Sequence, residues 1–145
     1  MKVSIGCDRA GIQLKNFIIE NLKNEFDFID LGTNSEEAVD YPDYAKKVVK
    51  TILGKEVDFG ILICGTGIGM SITANRFYGI RASLCHNSLE AKLTREHNNA
   101  NILCLGARII GQETALENVK VFLNTKFSNE KRHIIRINKL ESIDW

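Results

Sequence analysis

Phe59-Gly60-Ile61-Leu62-Ile63-Cys64-Gly65-Thr66-Gly67-Ile68-Gly69-Met70 joins a nearly continuous apolar run to three alternate glycines. A run that is apolar at successive positions fits a strand buried on both faces, as central strands of parallel sheets are. Glycine after such a strand lets the backbone turn tightly and leaves its N–H groups open to a ligand. Residues 70–75 can continue as a helix. The loop therefore opens onto a helix N-terminus, where negative charge is favoured.

The same unit recurs on either side. Residues 3–6 read as a strand, followed by a turn at Cys7-Asp8-Arg9-Ala10-Gly11. Leu14, Ile18 and Leu22, with Phe17 beside them, then recur at helical spacing. Residues 26–31 form a second strand that ends at Gly32-Thr33-Asn34-Ser35. After Asp40-Tyr41-Pro42 come two helical rows, Tyr44, Val48, Ile52 and Ala45, Val49, Leu53. Pro42 sits where a first helical turn tolerates it. Residues 80–85 and 102–105 read as strands, 88–97 and 112–123 as helices. The segment from Ser128 is a basic helical tail with no strand after it. Strands separated by helices predict an α/β fold: a five-stranded parallel sheet, right-handed crossovers, helices on both faces and a C-terminal helix.

The 145 residues fit one domain over 1–145, against a prior of ~150 residues per domain. Nineteen Lys and Arg against eighteen Asp and Glu leave a net charge of +1. That gives no global electrostatic reason to expect nucleic acid or an anionic membrane as partner. No stretch approaches the roughly 18 apolar residues of a membrane span, and the first residues leave no room for a signal peptide. The cysteines at 7, 64, 85 and 104 form no C-x-x-C pair. A disulfide framework is not expected, and a reducing cytoplasm is.

Ligands in such sheets bind beyond the carboxyl ends of the strands. The glycines at 65, 67 and 69 match neither the dinucleotide fingerprint nor a Walker loop. A tight turn or an anion site remains, and three glycines favour the anion site. Cys64, at the mouth of this loop, is either a base or nucleophile or a small core residue. Cys7, Cys85 and Cys104 lack such a loop and read as core. Asp8 by itself reads as a helix N-cap, with a ligand-binding carboxylate as the functional alternative. His97 suits a helix C-terminus and equally general acid–base work; His86 and His133 carry the same two readings. Arg132 and Arg136, four apart, share one helix face and suit a phosphate or simply solvent. No spacing resembles a metal site.

Gly6-Cys7-Asp8, Asp40-Tyr41-Pro42, Cys64-Gly65-Thr66-Gly67-Ile68-Gly69, Arg95-Glu96-His97-Asn98, Gly106-Ala107-Arg108, and Arg132-His133 with Arg136 together resemble the type B ribose-5-phosphate isomerases. The isomerases of galactose 6-phosphate and allose 6-phosphate are similar. The likeness covers essentially the whole chain, in order. It implies a Rossmann-like three-layer domain that uses no cofactor and no metal. It implies Cys64 as the base that moves the proton between the reacting carbons. The amides of Gly65, Thr66, Gly67, Ile68 and Gly69 would hold the enediolate oxygen, and Thr66 would assist proton transfer. It implies His97 for furanose ring opening, with Asn98 close by and Asp8 on sugar hydroxyls. Tyr41 would lie near the sugar, and Arg108, Arg132 and Arg136 would contact substrate or its phosphate.

One position departs from the pattern. Arg9 stands where the family usually has a histidine near the phosphate. Arginine keeps the charge and adds a bidentate fork, which bears on the sugar rather than the reaction. The expected activity is interconversion of ribose 5-phosphate and ribulose 5-phosphate. The alternatives are an isomerase of a phosphorylated hexose, and a non-catalytic phosphate- or nucleotide-binding module. The resemblance also implies a homodimer, or a dimer of dimers, with sites shared between chains. Neither nucleic acid nor membrane is an expected partner.

Overall fold

The structure is a computed structural model that describes residues 1–142. Its elements run β1 (Lys2–Cys7), a 3-10 turn (Arg9–Gly11), α1 (Ile12–Leu22), β2 (Asp27–Asp30), α2 (Tyr41–Leu53) and β3 (Phe59–Cys64). They continue with α3 (Ile68–Ala74), β4 (Ala82–Leu84), α4 (Ser88–Asn98), β5 (Ile102–Gly106), α5 (Gln112–Asn124) and α6 (Lys131–Glu141). The five strands form one sheet in the order β2-β1-β3-β5-β4. Every pairing is parallel.

β3 lies at the centre, as its apolar run predicts. Ile61 and Ile63 face the layer made by α1, α4 and α5, where Leu14, Ile18, Ala91, Val119 and Phe122 are buried. Leu62 and Cys64 face the layer made by α2 and α3, with Val48, Val49, Met70 and Ala74. The second layer packs close because β1 and β3 present glycine to it. A Cβ on Gly6 would stand 2.9 Å from a Val48 methyl, and one on Gly60 2.6 Å.

β4 is shorter than the expected 80–85. Ile80 donates its N–H to the Phe77 carbonyl instead of to the sheet. The Asn75 side chain takes both backbone groups of Ala82, accepting from its N–H at 2.7 Å and donating to its carbonyl at 2.9 Å. Cys85 lies past the strand's end and is buried in the core. The tail forms α6 as expected and folds back on α4. Ser128 bonds the Glu96 carbonyl through its amide and hydroxyl, and an ion pair joins Arg81 to Glu141.

The chain moves outward from β1 to β2 on one side, and on the other from β3 to the edge strand β4 before returning to place β5 between them. The direction of winding thus switches between β1 and β3, and a crevice opens there beyond the strands' carboxyl ends.

Candidate active site

Asp8 follows β1 and takes the N-cap position of the 3-10 turn, but its side chain makes no capping bond. The capping role expected for this residue is therefore corrected. Its Oδ1 is buried without a hydrogen-bond partner. A buried carboxylate oxygen left unpaired costs free energy unless a ligand donates to it. Arg9, beside it, is exposed and reaches the Glu36 carbonyl at 3.4 Å.

Behind these residues Lys15 is fully buried. Its ammonium donates to the Thr33 carbonyl at 3.1 Å and to Asn34 Oδ1 at 2.8 Å, and pairs with Asp30 at 3.1 Å. Three protons meet three acceptors, which fixes the start of the 31–40 loop. That loop's Ala38 and Val39, with Asp8, Arg9, Ala10, Gly65 and Arg108, line a cavity of about 120 Å³.

The glycine loop follows β3. Gly67 has φ +78, a conformation glycine alone adopts without strain. There its N–H donates to Cys64 Sγ at 3.1 Å, while the Ile68 N–H donates to Thr66 Oγ1 at 3.2 Å. Two of the five amides are thus engaged inside the loop, and the sulfur is held against it. The ring of Tyr41, the first residue of α2, lies on Gly69, where an added Cβ would meet it at 2.6 Å. The Arg108 guanidinium lies across Gly65. Arg108 is kept there by its own N–H, which donates to the Gly65 carbonyl at 2.9 Å.

The four cysteines are free and buried. Burial pushes the Cys7 and Cys85 thiols up to about 11, and drives fully enclosed Cys104 further up. The core reading of these three holds. Cys64 differs from them in its place at the mouth of the glycine loop.

Asp8, Arg9, Tyr41, Cys64, Gly65, Thr66, Gly67, Ile68, Gly69 and Arg108 thus gather at one end of the sheet. His97, Asn98, Arg132 and Arg136 do not join them. α4 starts after the carboxyl end of β4 and runs back to the amino end of β5. His97 and Asn98, its last two residues, therefore sit at the far end of the sheet. β5 has five residues, a separation of roughly 16 Å at ~3.3 Å per residue.

There the His97 ring stacks on His133 of α6, centroids 4.3 Å apart and planes 17° apart. Arg132 and Arg136 stand exposed on the same helix. Arg95, buried under α4, ties the helix end down by donating to the Thr125 and Ala100 carbonyls and to Asn99 Oδ1. Lys15 carries no functional signal in the sequence, and His133 carries only the same two readings as His97. His133 reads there as part of a basic tail, and its burial follows only from the docking of α6. A second, larger cavity of about 580 Å³ lies between β4, α4 and α6. It is open and contains none of the strand-end groups. Among the described residues no cluster of His, Cys, Asp and Glu could hold a metal ion, and no helix is long and apolar enough to cross a membrane.

Comparison with known proteins agrees with this fold. The family model described as Ribose/Galactose Isomerase matches residues 3–140. Ribose-5-phosphate isomerase B of Escherichia coli is 43% identical over 144 residues, covering 99% of this chain and 96% of that protein. The crystal structure of a ribose 5-phosphate isomerase from Thermotoga maritima superposes with a TM-score of 0.95 at 52% identity, covering 98% of both chains. The type B ribose 5-phosphate isomerase of Trypanosoma brucei gives 0.95 at 42% identity, over 99% of this chain and 98% of that one. With the family model matching nearly its whole length and its fold superposing on these structures, the chain belongs to the ribose/galactose isomerase family.

Proposed function

We propose that this protein interconverts ribose 5-phosphate and ribulose 5-phosphate through an enediolate. The observation that carries the reading is Cys64 at the end of β3. Its sulfur is held by the Gly67 amide at 3.1 Å, and the unpaired Asp8 carboxylate oxygen lies at the neighbouring strand end. Aldose–ketose isomerisation needs a base at the carbon acid and donors aimed at the developing oxyanion. Cys64 as thiolate takes the proton from C2 of the open-chain aldose. The electron pair forms the C1–C2 double bond, and the charge moves onto O1. The loop amides not engaged internally, those of Gly65, Thr66 and Gly69, stabilise that oxygen. Thr66 carries the proton between O1 and O2, and the thiol returns its proton to C1. Asp8 accepts from a sugar hydroxyl. Tyr41 closes the side of the sugar, and Arg9 and Arg108 supply positive charge.

Ring opening and the remaining phosphate grip fall to His97, Asn98, Arg132 and Arg136. These lie at the far end of the sheet in their own chain, so the reading requires a second copy. The functional unit is then a homodimer, or a dimer of dimers, with each site assembled from two chains. The free cysteines suit a reducing cytoplasm, and the reaction suits pentose phosphate metabolism.

The test is turnover of ribose 5-phosphate, allose 6-phosphate and galactose 6-phosphate by the purified protein, with Cys64→Ala alongside. The pentose should be turned over fastest, and Cys64→Ala should keep its circular dichroism while losing isomerisation. Preference for a hexose would assign Arg9 to a longer substrate. Full activity of Cys64→Ala would remove the base.

A further inference from the structure

We propose that His133 is a positioning residue for His97, its ring stacked face to face on the His97 ring and fixing the plane in which that ring works. The idea rests on the assignment of furanose opening to His97. In that step the anomeric hydroxyl loses its proton, the C1–O4 bond breaks with its electron pair going to O4, and O4 is protonated. His97 passes the proton and nothing is oxidised. Such a relay needs an imidazole whose nitrogens point in fixed directions, and positioning contributes steeply to rate.

His97 is half-buried at the last turn of α4, a place where a side chain swings unless something holds it. His133 is what touches its face. The centroid distance of 4.3 Å and the 17° interplanar angle describe a close parallel stack. His133 itself cannot swing, because it is 4% exposed. Its Nε2 is buried without a hydrogen-bond partner, and Glu130 Oε2 lies 3.9 Å away. That nitrogen makes no polar contact that would account for a histidine here, whereas the ring face does.

Charge supports the same role. Burial holds the His133 imidazole below its ordinary value, helped by the nearby His97, Arg132 and Arg136 and opposed by Glu130. An imidazole held toward its neutral form lets its neighbour take up a proton without a second cation against it.

Two reactions separate ring opening from isomerisation. Ribose 5-phosphate must be opened first. Ribulose 5-phosphate has its O5 esterified, cannot close a furanose, and exchanges its C1 proton with deuterium oxide without ring opening. His133→Leu keeps the buried volume and removes the aromatic face. It should lower turnover of ribose 5-phosphate by roughly tenfold or more and leave deuterium wash-in to ribulose 5-phosphate nearly unchanged. His133→Phe, which restores the face without the nitrogens, should recover most of the loss. In proton NMR the His97 ring protons should lose their ring-current shielding in His133→Leu and keep it in His133→Phe. Equal loss in both reactions, no loss in either, or a His133→Phe variant as poor as His133→Leu would each overturn the proposal. His97→Ala is run in parallel. If it leaves the ratio of the two reactions unchanged, the ring-opening assignment fails, and the role proposed for His133 falls with it by a distinct signature.

Discussion

Gly67→Ala strikes the loop where backbone conformation, packing and the reactive sulfur meet. At φ +78 an alanine pays about 1–2 kcal/mol for the left-handed conformation. Its Cβ would lie 2.5 Å from Leu84 Cδ1, 2.9 Å from the Leu105 carbonyl carbon and 3.0 Å from its oxygen. Leu84 sits on an edge strand and can rotate away; the Leu105 backbone, in the middle of the sheet, cannot. Overpacking of this kind costs about 1–3 kcal/mol. The sum is about 2–5 kcal/mol, which at this chain length lowers Tm by roughly 10 °C.

The same substitution moves the N–H that holds Cys64 Sγ, and a displacement near 1 Å costs about 10²-fold in rate. The assay is urea unfolding together with kcat for ribose 5-phosphate. Gly111→Ala serves as control: nothing lies within 4 Å of its added Cβ, and its φ of −75 is ordinary, so its stability should stay within about 1 kcal/mol of the parent. Adding Leu84→Ala to Gly67→Ala should relieve only the side-chain part of the clash. A Gly67→Ala protein as stable and active as the Gly111→Ala control would refute the account of the loop.

Two further expectations concern groups behind the site. Lys15→Met keeps the buried stem but strips Asp30, Thr33 and Asn34 of their shared donor. Asp30 keeps a third of its surface in water, so the loss should be about 2–3 kcal/mol, below the usual figure for a broken buried pair. Urea unfolding should show that loss, and a change under about 0.5 kcal/mol would refute the anchoring role.

The thiols set a pH window. Cys7 and Cys85 have folded values near 11 against an ordinary 9.0, so the folded state holds protons that the unfolded chain gives up. Their contribution is complete below pH 9 and is lost as pH rises toward 11, by roughly 2 kcal/mol per thiol. Unfolding followed across that range should show the decline, and a flat profile would refute it. At about pH 8, iodoacetamide should modify Cys64 before the others, as peptide mapping would show.

Much of the fold is legible in the residues because burial acts on them locally. Phe59 to Ile63 is apolar at both parities because both sheet faces are covered. Leu14, Ile18 and Leu22 repeat at helical spacing because one face of α1 packs on the sheet. Strand order is another matter. That β5 inserts between β3 and β4 depends on pairings between distant segments, which periodicity does not encode. The loop residues of the site were legible because glycine has few other reasons to recur at 65, 67 and 69. Asp8 offered two readings from its residues alone, since an acceptor that caps a turn and one kept for a ligand look alike until hydrogen bonds are counted. Nothing in the sequence marks Lys15, and its burial requires knowing that Asp30, Thr33 and Asn34 converge on it. The distance between His97 and Cys64 follows from the direction in which α4 runs, and the motif alone says nothing of it.

The strand order also governs when the protein can become itself during synthesis. β4 leaves the ribosome with no strand to pair with, because its one neighbour, β5, lies at 102–106. The glycine loop waits for the same strand. The carbonyls of Cys64 and Gly65 receive the amides of Ala107 and Arg108, and Gly106 makes room for the backbone of Thr66. A nascent chain that already carries its reactive cysteine thus has no formed pocket around it until the stretch up to Arg108 has emerged and threaded between two earlier elements. Pairing over such sequence separations is slow, and while it proceeds the apolar edge of β3 stands open. The strand order thus leaves a strand edge exposed during the most aggregation-prone part of the chain's life.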